Sequence, residues 1–354
     1  MKDNRVSALR DEIDKINFKI LDLLNQRAAI ALELTGEKAK AGIDGFDPVR
    51  ESSMLEELVK HNGGPFSNSA ISELFKHIFQ VTLELMSGHE RQSLKVSRGY
   101  KAENTLVKVN GATFGGGVFN IIAGPCSVEN EEQVEAVASC LEASKVKIMR
   151  GGAFKPRTSP YSFQGLGLPG LKMLYEAAQR HGLAVASEIT DVRLLDKIYP
   201  YVDIVQIGAR NMYNYPLLQE VGAMGKPLIL KRHFAATLDE FLLAAEYLMK
   251  SGASEIILCE RGIRTFERWV RSTLDISAVP LLKKETHLPV IVDISHAAGR
   301  RDILLPLAKA AQAAGADGLM VEVHNDPKCA RSDSQQQLNL QEFVKLAQAL
   351  GENN

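Results

Sequence analysis

From Phe119 to the C-terminal region, short apolar runs alternate with stretches of helical spacing. The runs are Phe119 to Ala123, Val146 to Met149, Ala184 to Ser187, Asp203 to Ile207, Pro227 to Leu230, Glu255 to Leu258, Val290 to Ile294 and Gly318 to Val323. A helical stretch follows each, as in Glu131 to Ala143, Gly170 to His181 and Leu238 to Met249. Eight βα repeats in about 240 residues fit a closed parallel barrel, the α/β (β/α)8 TIM barrel, better than a doubly wound sheet, which usually has fewer strands. Val107, Val109 and the turn pair Asn110-Gly111 predict a short hairpin capping the closed bottom of the barrel.

The first residues obey a different period. Leu9, Ile13, Ile16, Ile20, Leu23, Leu24, Ile30 and Leu34 recur at helical spacing, predicting one long helix to Lys40. Gly42, Gly45 and Pro48 break it. A second helix carries Met54, Leu55, Leu58 and Val59, and a third carries Ile71, Leu74, Phe75, Ile78, Phe79, Leu83 and Met86. Residues 1–88 are therefore expected to form an all-α three-helix domain, 89–105 a polar linker, and 106–354 the barrel with its hairpin. So short a helical unit cannot bury its broad apolar faces alone, and pairing into a homo-oligomer or docking is expected.

With 42 Lys+Arg against 43 Asp+Glu, the net charge of -1 argues against a nucleic-acid partner. Runs such as Ile256 to Cys259 fall far short of the roughly 20 residues a membrane helix needs. The charged start, Met1 to Asp14, lacks a signal peptide's apolar core, so a cytoplasmic location is expected. Cys126, Cys140, Cys259 and Cys329 form no CxxC pair, which supports neither a disulfide framework nor a zinc knuckle.

TIM-barrel chemistry sits at the carboxyl ends of the strands. There this chain carries Arg150, Lys155, Arg157, Arg210, Lys231, Arg232 and Arg261, seven basic residues expected to converge on one mouth. Any single one could be a salt-bridge partner. Together they suit a phosphorylated or di-anionic substrate, since guanidinium matches phosphate and carboxylate oxygens bidentately. Cys126, His296, Glu322 and Asp333 stand at the same ends and offer a thiolate, an imidazole and two carboxylates to a divalent transition metal. His324, two residues after Glu322, is a rival to His296, which is preferred because it follows a complete strand.

The motifs Gly124-Pro125-Cys126, Arg150-Gly151-Gly152-Ala153-Phe154-Lys155-Pro156-Arg157-Thr158-Ser159-Pro160, Gln206-Ile207-Gly208-Ala209-Arg210-Asn211, Leu230-Lys231-Arg232, Cys259-Glu260-Arg261-Gly262 and Asp293/Ser295/His296 resemble those of 3-deoxy-D-arabino-heptulosonate 7-phosphate (DAHP) synthases of type Iβ. The family catalyses the first step of the shikimate pathway, condensing phosphoenolpyruvate with erythrose 4-phosphate and releasing phosphate. The resemblance implies that Arg150, Lys155, Arg210, Lys231 and Arg261 hold phosphoenolpyruvate, and that Arg157, Thr158 and Ser159 hold the phosphate of erythrose 4-phosphate. Cys126, His296, Glu322 and Asp333 would bind manganese, or else cobalt, iron, zinc or cadmium, with either Lys155 or a metal-bound water as the proton donor to the aldehyde oxygen. The sister family, 3-deoxy-octulosonate 8-phosphate synthase, differs in its counterpart of Lys155-Pro156-Arg157-Thr158 and in many members replaces the metal Cys by Asn. His233 stands where the DAHP synthases often have Gly.

In the first helix Arg27 and Lys38 interrupt the apolar stripe, and buried cations need partners. Glu51 on the second helix and Thr82 on the third add to a polar face. This resembles an AroQ-type chorismate mutase, an intertwined dimer with a cationic pocket, and the resemblance implies a pocket for chorismate or prephenate made by Arg10, Arg27, Lys38, Asp47, Arg50, Glu51, Thr82 and Met86. Lys40 could replace Lys38 by a slip of register. Met86 departs from the family's Gln or Glu, which hydrogen-bonds the ether oxygen. The expectation is a synthase feedback-regulated through a weak or inactive mutase domain, in dimers or tetramers; the alternatives are a bifunctional enzyme and an inactive ligand-binding regulator.

Overall fold

The computed structural model describes residues 2–41, 47–157 and 159–351. It divides into two compact units, Met1–Leu94 and Lys95–Asn354.

The first unit consists of α1 (Lys2–Ala41), α2 (Pro48–Lys60) and α3 (Asn68–Ser93). Asp47 caps α2 by accepting from Arg50 N at 3.0 Å, with Pro48 at the start of the helix, where a missing N–H costs nothing. Ser67 caps α3 by accepting from Ala70 N. The Gly42-to-Gly45 break lies outside the described residues. The stripe on α1 stays largely uncovered within one chain: Ile13 is 57% and Ile30 65% exposed.

The stretch 89–105, expected to be a linker, is structured. The backbone of α3 continues to Ser93. Beyond it Val96 is fully buried, Ser97 bridges Thr286, and His287 engages Thr105 Oγ1 through Nδ1 and Lys95 O through Nε2 at 2.8 and 2.7 Å. Isolated backbone and side-chain contacts and one valine do this work, and none produces a periodic pattern.

The second unit opens with the hairpin of β1 (Val107–Val109) and β2 (Ala112–Phe114). Asn110 and Gly111, at φ 47° and 81°, make the left-handed turn such a hairpin requires. Eight parallel strands then close a barrel: β3 (Asn120–Gly124), β4 (Ile148–Arg150), β5 (Ala184–Ile189), β6 (Ile204–Ile207), β7 (Leu228–Lys231), β8 (Ile256–Glu260), β9 (Val290–Asp293) and β10 (Gly318–Glu322), with β10 pairing β3. The intervening helices are α4 (Glu131–Ala143), α5 (Leu168–Arg180), α6 (Leu195–Ile198), α7 (Tyr215–Gly222), α8 (Leu238–Lys250), α9 (Ala278–Glu285), α10 (Ile294–Ala298), α11 (Leu304–Ala313) and α12 (Leu340–Gly351).

Val107, Val109, Ala112 and Phe114 of the hairpin pack against Ile122, Ile148, Ala184, Ala186, Ile204, Ile229, Ile257, Ile291 and Met320 in one buried cluster. The hairpin plugs the amino-terminal end of the barrel, which leaves the opposite end for chemistry. No helix of the described residues is long and apolar enough to cross a membrane.

Candidate active site and metal centre

The alternation that builds the core also builds the site. Two residues beyond the inward apolar layer, the strands turn polar: Ile148 leads to Arg150, Ala186 to Glu188, Ile204 to Gln206, Ile229 to Lys231, Cys259 to Arg261, Ile291 to Asp293 and Met320 to Glu322. A period of two points each of these polar groups inward. Above them lies a cavity of about 290 Å³ lined by Arg150, Lys155, Arg157, Glu188, Gln206, Arg210, Lys231, Arg261, Arg264, Arg271, Ser272, His296 and Asp333, among others.

Of the seven basic residues expected at the mouth, six line it and Arg232 does not. With Lys231 inward, Arg232 turns outward, where it donates to Glu260 and Asp275 at 2.9 Å each and to Ala236 O at 3.0 Å. Its charge is neutralised structurally.

At one side of the cavity one donor atom each of Cys126, His296, Glu322 and Asp333 lies within 4.8 Å of every other. Cys126 Sγ is 3.3 Å from Asp333 Oδ2, and His296 Nε2 is 3.4 Å from Glu322 Oε1. Four groups from the ends of three strands, β3, β9 and β10, thus surround one point, and their mixed donors suit a divalent transition metal. Burial pushes the Cys126 thiol up to about 12, with Glu322 adding to the rise, so metal uptake at this sulfur would displace a proton. Burial lowers His296 below the ordinary histidine value, which favours a neutral ring with a free Nε2 lone pair. Burial would raise Glu322, but His296 and Arg150 outweigh it and hold the carboxyl below its usual value. His324 lies outside this group. Its Nδ1 accepts from Asp326 N at 3.0 Å and its Nε2 faces Glu129 at 3.7 Å.

Lys155 reaches the group across Gly152: its Nζ donates to Cys126 O at 3.0 Å and to Cys126 Sγ at 3.2 Å. A Cβ at Gly152 would come within 2.8 Å of Lys155 Cδ and 2.6 Å of Cys126 O, so this path requires glycine. Gln337 Oε1 fixes the Cys126 backbone by accepting from its N–H at 2.9 Å.

The cations differ in how they are satisfied. Arg150 spends one amino group on Pro125 O and Glu322, at 3.0 and 2.8 Å, while its buried Nε has no hydrogen-bond partner among the described residues. Lys231 pairs with Asp293. Arg261 donates to Ser272 Oγ and His296 O at 3.2 Å each. Arg210 has no ion-pair partner among the described residues, and Arg264 lies over the Phe234 ring at 4.3 Å. Arg157 Nε donates to Phe163 O. Thr158 lies outside the described residues. Ser159 is exposed, its hydroxyl accepts from Tyr161 N at 3.3 Å, and it does not line the cavity.

Sequence reasoning gave no role to Glu188 and Gln206, and missed Arg264, Arg271 and Ser272. Strand alternation could have placed the first two. The other three sit in the irregular segment between β8 and α9, which carries no period.

In the helical unit, Arg27 donates to Thr82 Oγ1 at 2.5 Å and its guanidinium stands 5.1 Å over the Phe79 ring. Arg10 and Arg50 are exposed, and Lys38, Glu51 and Met86 are half-buried; the Lys40 side chain lies outside the described residues.

Residues 101–354 match the model of the DAHP synthetase I family. The chain belongs to that family. Residues 9–87 match chorismate mutase type II, so this DAHP synthetase I family member carries a mutase-type helical domain ahead of its barrel. A phospho-2-dehydro-3-deoxyheptonate aldolase of Thermotoga maritima is 53% identical over 263 residues, covering 72% of this chain and 78% of that protein. A 2-dehydro-3-deoxyphosphooctonate aldolase of Syntrophotalea carbinolica is 33% identical, covering 68% and 92%. The crystal structure of a Thermotoga maritima DAHP synthase superposes with a TM-score of 0.71 at 52% identity, covering 73% of this chain and 76% of that one.

Proposed function

We propose that the barrel condenses phosphoenolpyruvate with erythrose 4-phosphate to DAHP and phosphate, with a divalent metal at Cys126, His296, Glu322 and Asp333. The observation that carries this is one cavity lined by an excess of guanidinium and ammonium groups and by His296 and Asp333, two members of the four-residue donor group at its side. Arg150, Lys155, Arg210, Lys231 and Arg261 bind the phosphoenolpyruvate carboxylate and phosphate. Arg157, which lines the cavity, takes the second phosphate with its sequence neighbour Thr158; Ser159, expected to help, stands outside the cavity. When bound, the metal supplies Lewis acidity to an aldehyde oxygen. The surrounding cations screen repulsion between two phosphorylated substrates and stabilise developing charge. Lys155, its ammonium within 3.2 Å of Cys126 Sγ, is the proton donor to the aldehyde oxygen.

Phosphate release from the two substrates tests this reading. Release should stop on stringent chelation, return with manganese, and be much slower with arabinose 5-phosphate as the acceptor. Release that survives chelation would overturn the metal assignment.

The helical unit binds chorismate or prephenate as a feedback signal. Arg27 and Thr82, already joined, form one wall of that pocket with Arg10, Lys38, Asp47, Arg50 and Glu51. The exposed α1 stripe supports pairing of two helical units in a dimer or tetramer. Met86 offers no hydrogen bond to a breaking C–O bond, so mutase turnover is weak. Chorismate decay measured for the wild type and Met86→Gln decides this: high wild-type turnover would make the protein bifunctional.

A further inference from the structure

Gln336, only 2% exposed, lies three residues beyond Asp333. Its Nε2 donates to Glu322 Oε2 at 2.6 Å and approaches Asp333 Oδ2 at 3.5 Å. Its Oε1 accepts from Arg271, whose same amino nitrogen lies 3.0 Å from Asp333 Oδ2. Gln336, Arg271 and Asp333 close a ring of three side chains, and Glu322 joins it through Gln336 Nε2.

The chemistry of the ring fixes the amide. A flipped Gln336 would set its NH2 against a guanidinium and its carbonyl against a carboxylate, leaving two like-polarity contacts in a buried place. In the observed orientation the amide occupies Oε2 of Glu322, and Oε1 is left facing His296 Nε2 and Arg150.

We infer that Gln336 is a positioning residue for the metal centre: through one amide it selects which oxygen of Glu322 faces the ion and, through Arg271, fixes the carboxylate of Asp333. The inference rests on the metal reading above. Carboxylate ligands need such outer supports because their terminal torsion is soft, and Gln336 holds Oε2 of Glu322 while Arg150 holds Oε1. Removing an outer support of this kind typically weakens metal binding by about 10- to 100-fold.

The test uses the full-length protein without substrates and Co2+ as the probe. Affinity is read by competition against a chelator, and the ligand field by the d–d absorption bands. Gln336→Met, similar in volume and unable to hydrogen-bond, should bind Co2+ about 10- to 100-fold more weakly and shift the d–d bands. The thiolate-to-cobalt charge-transfer band from Cys126 should persist, and metal-free melting should stay close to wild type. If that variant fails to fold, Gln336→Glu serves instead, since it keeps the acceptor for Arg271 and loses the donor to Glu322. Unchanged affinity and unchanged d–d bands overturn the inference while leaving the metal site standing. Wild-type protein that binds no Co2+, or a Cys126→Ser variant that binds it with an unaltered spectrum, overturns the metal reading itself.

Discussion

Asp293 grips His296 twice with one side chain: Oδ1 accepts from the His296 backbone N at 3.0 Å, and Oδ2 engages Nδ1 at 2.7 Å. The first contact caps α10 and the second places the proton on Nδ1, so Nε2 carries the lone pair toward Glu322 and Asp333. The same carboxylate also neutralises Lys231.

Asp293→Asn keeps the shape and loses the charge that holds both partners. Phosphate release is expected to fall at least about ten-fold, the lower end for loss of a ligand-orienting partner, and excess metal should not restore it because Lys231 is released as well. Steady-state assays across a metal titration check this. Full recovery at high metal would show that Asp293 acts only on affinity.

Arg210→Ala removes a cavity cation that has no ion-pair partner among the described residues, so the loss falls on the ligand and not on the fold. A charge-assisted hydrogen bond of about 1.5–3 kcal/mol corresponds to roughly a ten- to hundred-fold rise in KM for phosphoenolpyruvate. KM for erythrose 4-phosphate should move far less, and the melting temperature should hold.

Phe114 is fully buried in the hairpin that plugs the barrel floor. Phe114→Ala should cost about 3–5 kcal/mol, from lost burial plus an unfilled cavity. Denaturant melts of the barrel unit measure it, and a loss under about 1 kcal/mol would mean that the floor closes without the hairpin.

His181 links α5 to Glu142 and Glu135 of α4, at 2.6 and 2.9 Å. The Glu142 bond, then the Glu135 bond, raise its folded pKa above the ordinary 6.5. The imidazolium contribution is therefore complete below pH 6.5 and fades as the pH rises through the raised folded value. Both carboxylates are well exposed, which limits the effect to about 1 kcal/mol or less. The melting difference between wild type and His181→Gln should shrink from acidic to alkaline pH; a constant difference would assign the contact to packing.

Much of this was legible in the chain because barrel strands obey a local rule. Each of the eight apolar runs became a strand within about two residues of its expected bounds, because a buried parallel strand needs only a short apolar run between turn residues. The inward side chain at each mouth follows from a period of two, and strict use of that period separates Lys231 from Arg232 and finds Glu188 and Gln206. The helical unit was legible as helices from its stripe, which one chain leaves uncovered.

Tertiary structure decided what depends on closure. Cys126 and Asp333 are 207 residues apart, and no local pattern states that Sγ and Oδ2 lie 3.3 Å from each other; the pairing of β10 with β3 brings them there. Arg271 and Gln336 come from irregular segments whose side-chain directions follow from packing, not from a backbone period. The sequence by itself determined the strand–helix alternation and the supply of polar groups at the strand ends. Barrel closure decided which of those groups share one cavity, which neutralise each other outside it, and which hold the ligands in place, because such contacts join residues that only the folded chain makes neighbours.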